Sequence, residues 1–282
     1  AKGVKAVLFS GEGEPLLHQD ACRIISFTRR AGIDVALATN GVMLTAPIAK
    51  KILKHLSWLK VSLNAGTKKT YAKVHRTKPS DFNLVLDNLK TAVKIRNSHH
   101  YACAIGAQSV LLPDNFSEMT RLAKKIRDLG LDYFVVKPYS RHCFSRHRQP
   151  GSLRFQNLQL LKKHLQQYSR GSFQVIFRDN TMHKLEQKKP YAVCLGFAFT
   201  AHIACNGEMY PCTAFIGNKE FSFGNINEDS LRDIWEGRRR KAVVNKIYRN
   251  WDIQRCRPVC RIDEINRYLW ELKHPVEHIN FI

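Results

Sequence analysis

The stretch Leu8-Phe9-Ser10-Gly11-Glu12-Gly13-Glu14-Pro15-Leu16-Leu17-His18 closes an apolar run that begins at Val4. Residues 4–9 read as a buried strand. The run breaks into a Gly-x-Gly-Glu-Pro turn that carries two carboxylates, Glu12 and Glu14. Without Cβ atoms, Gly11 and Gly13 permit positive φ and close approach of a ligand. Pro15 then fixes the exit at a φ of about −65°. A polar turn at the C-terminal end of a strand is where α/β proteins bind ligands. Both carboxylates offer acceptors to an ammonium group. A solvated strand-to-helix loop is the competing reading.

The same texture repeats downstream. Further strand candidates lie at residues 35–39, 58–63, 102–110, 133–137 and 173–177, with helical patterns between them. One pattern sets Met119, Leu122, Ile126 and Leu129 on a common face, with Ser117 as N-cap and Gly130 as the stop. A second runs over residues 80–96 and buries Leu86, Leu89 and Val93; a third spans residues 153–168. Gly-Ile-Asp at Gly32 and Gly-Leu-Asp at Gly130 lead into strands. Repeated β-α units predict a parallel sheet with right-handed crossovers. From about Pro190 the texture changes. Residues 199–204 alternate, Asn206-Gly207 signals a type I′ turn, and residues 208–211 return as a hairpin. A helix over residues 230–246 follows an Asp229/Ser230 cap. Cys256-x-x-x-Cys260 and a final helix over residues 263–272 close the chain. The expected fold class is α/β: an incomplete (β/α)6 partial TIM-type barrel of parallel strands over residues 1–189, then a small β-hairpin and helix domain over residues 190–282.

The 282 residues suffice for one large domain or one plus a smaller one. No apolar run approaches the roughly 18–20 residues of a membrane span, and no basic segment followed by an apolar stretch opens the sequence. The expectation is a cytoplasmic protein with no membrane contact. Lys and Arg number 46 against 23 Asp and Glu, a net charge of +23. That excess attracts phosphates or acidic partners, although the cations are spread along the chain. The densest run is Arg238-Arg239-Arg240-Lys241. Of eight cysteines, Cys194, Cys205, Cys212, Cys256 and Cys260 fall after residue 190. Without a secretory signal, disulfides are the weaker reading, and a late cysteine group favours a metal or iron–sulfur site.

Polar groups recur at successive strand ends: Thr39-Asn40-Gly41, then Ser62 and Asn64, then Gln108, then Lys137-Pro138-Tyr139. In a parallel barrel these ends share one face. Apolar strands with polar tips on one rim describe a small-molecule site.

That ordered set resembles the radical S-adenosylmethionine (SAM) superfamily. Gly11, Glu12, Gly13, Glu14 and Pro15 look like its motif for the methionyl amine of SAM. Thr39 and Asn40 resemble the Thr-Asn-Gly that ends the following strand. Ser62 and Asn64 resemble the polar pair near the ribose and carboxylate, and Gln108 and Lys137 sit where the family lines its site. The C-terminal region, from Cys194 through Phe223-Gly224-Asn225-Ile226 to Cys260, resembles a SPASM or twitch domain. The resemblance implies one auxiliary [4Fe–4S] cluster held by Cys194, Cys212, Cys256 and Cys260, four thiolates being the complement such a cluster takes. The shorter twitch type suits a single cluster. The closing pair departs from the usual Cys-x-x-Cys by one residue. Cys22 and Cys103 read as packing residues, and Cys205 as a packing residue or else a spare ligand. A four-cysteine zinc site uses the same ligand types.

The family's first cluster is held by Cys-x-x-x-Cys-x-x-Cys, and these 282 residues contain no such triplet; position 263, where Cys256-x-x-x-Cys260 would continue, is Asp. The expectation is that the SAM-binding [4Fe–4S] cluster is not encoded in this chain, that a first β-α unit is missing, and that the chain alone does not turn over. The parent enzyme is expected to cleave SAM reductively and abstract a hydrogen atom. An electron donor such as flavodoxin or ferredoxin is the implied partner. Near the rim, Lys137, Tyr139 and Cys143 are the catalytic candidates, with His142 and His147 available to move protons. The basic segment around them suits an anionic sugar, nucleotide-like or peptide substrate. Two rivals stand: a non-catalytic basic RNA-binding protein with a zinc site, and a partner subunit of another radical enzyme.

Overall fold

Six of the apolar runs become strands, each followed by a helix. The structure, a computed structural model, describes residues 3–11, 13–141, 155–185, 187–275 and 277–278. In chain order come β1 (Ala6–Phe9), α1 (Ala21–Arg30), β2 (Asp34–Thr39), α2 (Ala46–Ile52), β3 (Trp58–Ser62), α3 (Lys68–His75) and α4 (Ser80–Ser98). They are followed by β4 (Ala104–Leu111), α5 (Met119–Asp128), β5 (Tyr133–Pro138), α6 (Phe155–Gln166), β6 (Gln174–Phe177) and α7 (Asp179–His183). The strands form a six-stranded sheet in the order β1-β2-β3-β4-β5-β6, and every pairing is parallel. Sequential order with parallel neighbours is the arrangement of a β/α barrel wall. The α/β expectation is met.

The described residues of Ala1–Tyr139 and Pro150–Asp179 make one compact unit, and those of Ser140–Gln149 and Asn180–Ile282 another. In the first unit the core lies between sheet and helices. Leu59, Val61, Ile105, Ala107, Phe134 and Val136 point outward from the strands and are fully buried. On α5, Met119, Leu122, Ala123 and Ile126 meet them at helical spacing. Gly130 takes φ +79° to end that helix. Leu131 then enters the core, and Asp132 accepts from the Ile105 backbone N–H at 2.6 Å while pairing with Arg96. The Gly-Leu-Asp lead-in thus stops a helix, plugs the core and docks a strand.

Ser117 is not the cap of α5. A 3-10 turn at Phe116–Glu118 precedes the helix, and Glu118 stands at the cap position with its carboxylate committed elsewhere. The helix expected over residues 153–168 is found at Phe155–Gln166; residues 151–154 lie outside the described set.

On the opposite face of the sheet, Gly106 stands level with Tyr133 of the next strand. The Tyr133 ring crosses Gly106, and its hydroxyl donates to the Leu59 carbonyl at 3.1 Å. A Cβ at Gly106 would lie 2.3 Å from the ring. Gly106→Ala is therefore expected to destabilise the first unit by about 1–3 kcal/mol, the usual cost of overpacking. A urea midpoint equal to wild type would contradict this packing.

The second unit is built on a small antiparallel sheet of β7 (His202–Ile203), β8 (Glu208–Tyr210) and β9 (Gly224–Asn225), with α8 (Leu231–Glu236), α9 (Arg238–Asn250) and α10 (Asp263–Lys273). Its core gathers Tyr191, Phe197, Met209, Tyr210, Phe215, Phe223, Ile247 and Ile262. The hairpin forms, but its turn is not type I′. Only Gly207 has positive φ, at +84°, whereas type I′ needs it at both central residues. Gly207 N–H bonds the Ala204 carbonyl and Ala204 N–H bonds the Glu208 carbonyl, so Cys205, Asn206 and Gly207 form a three-residue loop. That exposes Cys205 at the turn, against its reading as a packing residue. Cys22 is likewise only half-buried, while Cys103 is buried as expected.

The single helix expected over residues 230–246 is two helices. Ser230 caps the first by accepting from Asp233 N–H at 3.2 Å. Gly237, at φ −66° and ψ 157°, separates them, and a side chain there would meet the Asp233 carbonyl at 2.6 Å. Two residues of the basic run at the start of α9 are spent on the fold. Arg239 donates to the carbonyls of Ser222 and Lys219. Arg240 stacks on Trp235 at 3.8 Å and donates to the carbonyls of Trp235 and Ala198. Two of the four cations that suggested nucleic acid are thus structural.

Candidate functional site

Parallel strands place all their C-terminal ends on one edge, so the polar tips of β1 to β5 share a rim. There Gly13 takes φ +137°, while Gly11 does not enter that region; a Cβ on either would meet open space. Glu12 lies outside the described residues. Pro15 opens a 3-10 turn that Glu14 caps by accepting from Leu16 N–H at 3.1 Å. The same carboxylate accepts from the Thr39 hydroxyl at 2.6 Å and from Asn40 N–H at 2.6 Å. Glu14 therefore ties the tip of β1 to the tip of β2. Thr39 is buried and accepts from Gly41 N–H at 3.0 Å. Asn40 accepts from Val42 N–H at 2.9 Å. Asn88, buried on α4, donates to the carbonyls of Gly41 and Val42. The Gly-Glu-Pro and Thr-Asn-Gly segments are one hydrogen-bonded knot.

Ser62 stands level with Gln108. Both are half-buried, on the face opposite the buried Val61 and Ala107. Asn64 is held on three sides. Its side-chain oxygen accepts from Val110 N–H at 2.7 Å, and its carbonyl accepts from Asn115 Nδ2 at 2.8 Å. Its own N–H donates to His75 Nε2 at 3.1 Å, a bond that requires a neutral imidazole. His75 stacks on Tyr71 at 4.2 Å, and burial holds its pKa below the usual value. Lys137 and Tyr139, half-buried, sit at the end of β5. Cys143, His142 and His147 lie outside the described residues.

Sequence reasoning missed Glu118, which accepts from the N–H groups of Gly66 and Thr67 and from the hydroxyls of Thr67 and Thr70 at 2.7–3.1 Å. It locks the loop after Asn64 to the segment after β4. Burial pushes the Glu118 pKa up, but the bonds from Thr70, Thr67 and Gly66 together outweigh it, so it stays below the ordinary value. A carboxylate with a depressed folded pKa contributes stability above its unfolded pKa and loses it as pH falls through the folded value. Stability is expected to drop below about pH 4.5, and Glu118→Gln should flatten that acid limb in thermal melts from pH 6 to pH 3. An acid limb of unchanged slope in the variant would remove Glu118 as its source.

In the second unit, Cys194 belongs to the core, and Cys212, Cys256 and Cys260 pack against it. Burial raises the Cys194 pKa to about 11; Asn266 and Gly196 N–H groups pull it down, while the nearby Cys260 and Cys256 sulfurs push it up. Burial likewise raises Cys212 to about 12, with Cys256, Cys194 and Cys260 adding to it. Cys256 and Cys260 thus bear on the pKa of both Cys194 and Cys212. Asn266 Nδ2 donates to Cys194 Sγ at 3.3 Å, and Trp251 Nε1 donates to Cys256 Sγ at 3.3 Å. Among the described residues no three Cys, His, Asp or Glu side chains converge tightly enough to hold a single metal ion. Thiolates around a cubane spread wider than one ion's shell. Four thiols in and around one small core, with N–H donors directed at two of them, fit an iron–sulfur cluster by donor type and number.

A radical SAM superfamily model matches residues 1–126, the segment that carries the rim from Gly11 to Gln108. A SPASM model, described as an iron–sulfur cluster-binding domain, matches residues 194–261, from the first to the last of the four cysteines. The chain belongs to the radical SAM superfamily and carries a SPASM domain. A tungsten-containing aldehyde ferredoxin oxidoreductase cofactor-modifying protein of Pyrococcus furiosus is 24% identical over 268 residues, covering 87% of this chain and 72% of the relative. An AdoMet-dependent heme synthase of Methanosarcina barkeri is 24% identical over 247 residues, covering 82% and 68%. Among solved structures, Streptococcus suis SuiB bound to S-adenosylmethionine superposes with a TM-score of 0.60 at 17% identity, over 83% of this chain and 54% of SuiB. At that identity the likeness speaks for the fold alone. The radical SAM chain spans about half the length of SuiB. These matches lend no support to an RNA-binding protein with a zinc site. No helix among the described residues is long and apolar enough to cross a membrane.

Proposed function

We propose that this radical SAM protein acts within a larger enzyme that cleaves SAM reductively and abstracts a hydrogen atom from its substrate. The observation that carries this reading is the rim knot, where Glu14 joins the Gly-Glu-Pro turn of β1 to Thr39 and Asn40 of β2 inside the matched segment. In this reading the turn at Gly11–Pro15, with Glu12 and Glu14, presents backbone and carboxylate acceptors to the methionyl ammonium. Thr39 and Asn40 steady that turn, and Ser62, Asn64 and Gln108 flank the adenosyl group on the neighbouring strands. Lys137, Tyr139 and Cys143 are the candidates for work on the substrate.

Cys194, Cys212, Cys256 and Cys260 hold the auxiliary cluster, which supplies low-potential electron transfer when bound. These 282 residues contain no Cys-x-x-x-Cys-x-x-Cys triplet, so the chain by itself holds one cluster and does not cleave SAM. The division at residues 1–189 and 190–282 follows the same split of roles. A flavodoxin or ferredoxin serves as electron donor, and the cytoplasm is the setting.

The substrate is anionic, in keeping with the net charge of +23. Two classes have support from relatives: a small cofactor precursor, from the names of the curated relatives, and a peptide, since a SuiB structure holds a precursor peptide. The test is anaerobic reconstitution of the purified chain with iron and sulfide, followed by SAM binding in equilibrium dialysis. Iron at about four per chain with measurable SAM binding is expected. Iron near eight would overturn the one-cluster assignment, and no SAM binding would overturn the rim assignment.

A further inference from the structure

Two side-chain N–H groups in the second unit end on sulfur. Trp251 lies at the end of α9, its backbone N–H bonded to the Ile247 carbonyl. Its ring meets Phe215 edge-on at 4.7 Å, and Arg255 lies over its face at 4.8 Å. So held, the indole N–H donates to Cys256 Sγ. Asn266, on α10, is 1% exposed. Its oxygen accepts from Gly196 N–H at 2.7 Å, which turns its Nδ2 onto Cys194 Sγ. α10 is pinned one turn earlier by Asp263, which takes the Tyr191 hydroxyl at 2.7 Å, Lys184 at 2.6 Å and Arg267 at 2.9 Å. A neutral thiol is a weak acceptor, a poor end for two donors, one buried and one half-buried, on separate elements. A thiolate is a strong one.

We propose that Trp251 and Asn266 set the reduction potential of the auxiliary cluster by donating hydrogen bonds to its Cys256 and Cys194 ligands. The inference rests on the cysteine assignment made above. Reduction adds one electron, drawn from an external low-potential reductant, with no bond made or broken and both thiolates still coordinated. The added negative charge spreads onto the ligand sulfurs, where an N–H donor stabilises the reduced form more than the oxidised one. Hydrogen bonds to sulfur are an established lever on cluster potential. Removing a donor therefore moves the potential to more negative values.

The test is a dithionite titration of the anaerobically reconstituted full chain, followed by electron paramagnetic resonance of the reduced cluster. Trp251→Phe keeps the ring and removes only the indole N–H. It is expected to retain full iron and sulfide, while the oxidised-to-reduced ratio at a fixed ambient potential rises about three- to tenfold, tenfold being 59 mV for a one-electron couple. Asn266→Asp keeps an acceptor for Gly196 and places a carboxylate beside Cys194; it should shift the ratio in the same direction. If Trp251→Phe does not load, Asn266→Asp carries the test. Fully loaded variants with wild-type potentials would overturn the proposal. A wild-type chain that takes up no iron and sulfide would overturn the ligand assignment itself.

Discussion

Cys212→Ala is expected to leave the chain without iron or sulfide and to melt the second unit. Cys212 is one of four sulfurs that share a small core, and burial together with its neighbours raises its pKa to about 12. Without metal, that core must bury four thiols and gains no coordination in return. Structural metal sites contribute on the order of 10 kcal/mol to folding. A domain's whole stability is only about 5–15 kcal/mol. Losing one of four ligands therefore removes enough free energy to unfold a unit whose sheet has only three short strands. The measurements are iron and sulfide content, the broad visible absorbance, and circular dichroism of the reconstituted chain. Cys205→Ala is the control: Cys205 is exposed on the hairpin loop, and its loss should leave iron unchanged. Full iron in Cys212→Ala, or its loss in Cys205→Ala, would redraw the ligand set.

Glu14→Ala is expected to cost about 3 kcal/mol of stability in the first unit, because removing a charged acceptor orphans its buried donors. Leu16 N–H, the Thr39 hydroxyl and Asn40 N–H all end on this carboxylate, and Thr39 is only 3% exposed. The tips of β1 and β2 separate in the variant. SAM affinity is expected to fall with them, while iron content stays at the wild-type level. Glu14→Gln retains one acceptor oxygen and should lose roughly half as much stability. Urea unfolding and equilibrium dialysis read the two effects separately. Wild-type stability in Glu14→Ala would refute the clamp, and lost stability with wild-type SAM affinity would remove Glu14 from the SAM site.

The parallel sheet is legible in the sequence because its strands are apolar runs that alternate with amphipathic helical patterns. The rim follows from it, since parallel strands put all their tips on one edge. The side-chain commitments at that edge are not legible. Glu14, Thr39 and Asn64 have the composition of ligand-binding residues, yet each also carries part of the strand-to-strand bonding. Glu118 binds a loop some fifty residues earlier, and Asn266 reaches Cys194 across 72 positions. No local pattern marks partners so far apart. The break between α8 and α9 did carry a signal, a glycine at position 237 in an otherwise helical run. The Asn206-Gly207 pair fits either a two- or a three-residue hairpin loop, and the pairing of Ile203 with Met209 selects the longer. The basic run at residues 238–241 misleads because composition cannot distinguish cations facing solvent from cations tied to carbonyls.

The sequential strand order also bears on how the chain assembles at the ribosome. Each strand pairs only with the ones synthesised just before and just after it. Paired positions lie between 22 residues apart (Thr39 with Val61) and 46 apart (Ser62 with Gln108). Ring closure over such spans costs little extra entropy, so the sheet can grow from its first strand while translation continues. The cysteine site obeys a different clock. The last of its four proposed ligands is residue 260, so metal delivery to that site must wait until position 260 has left the exit tunnel.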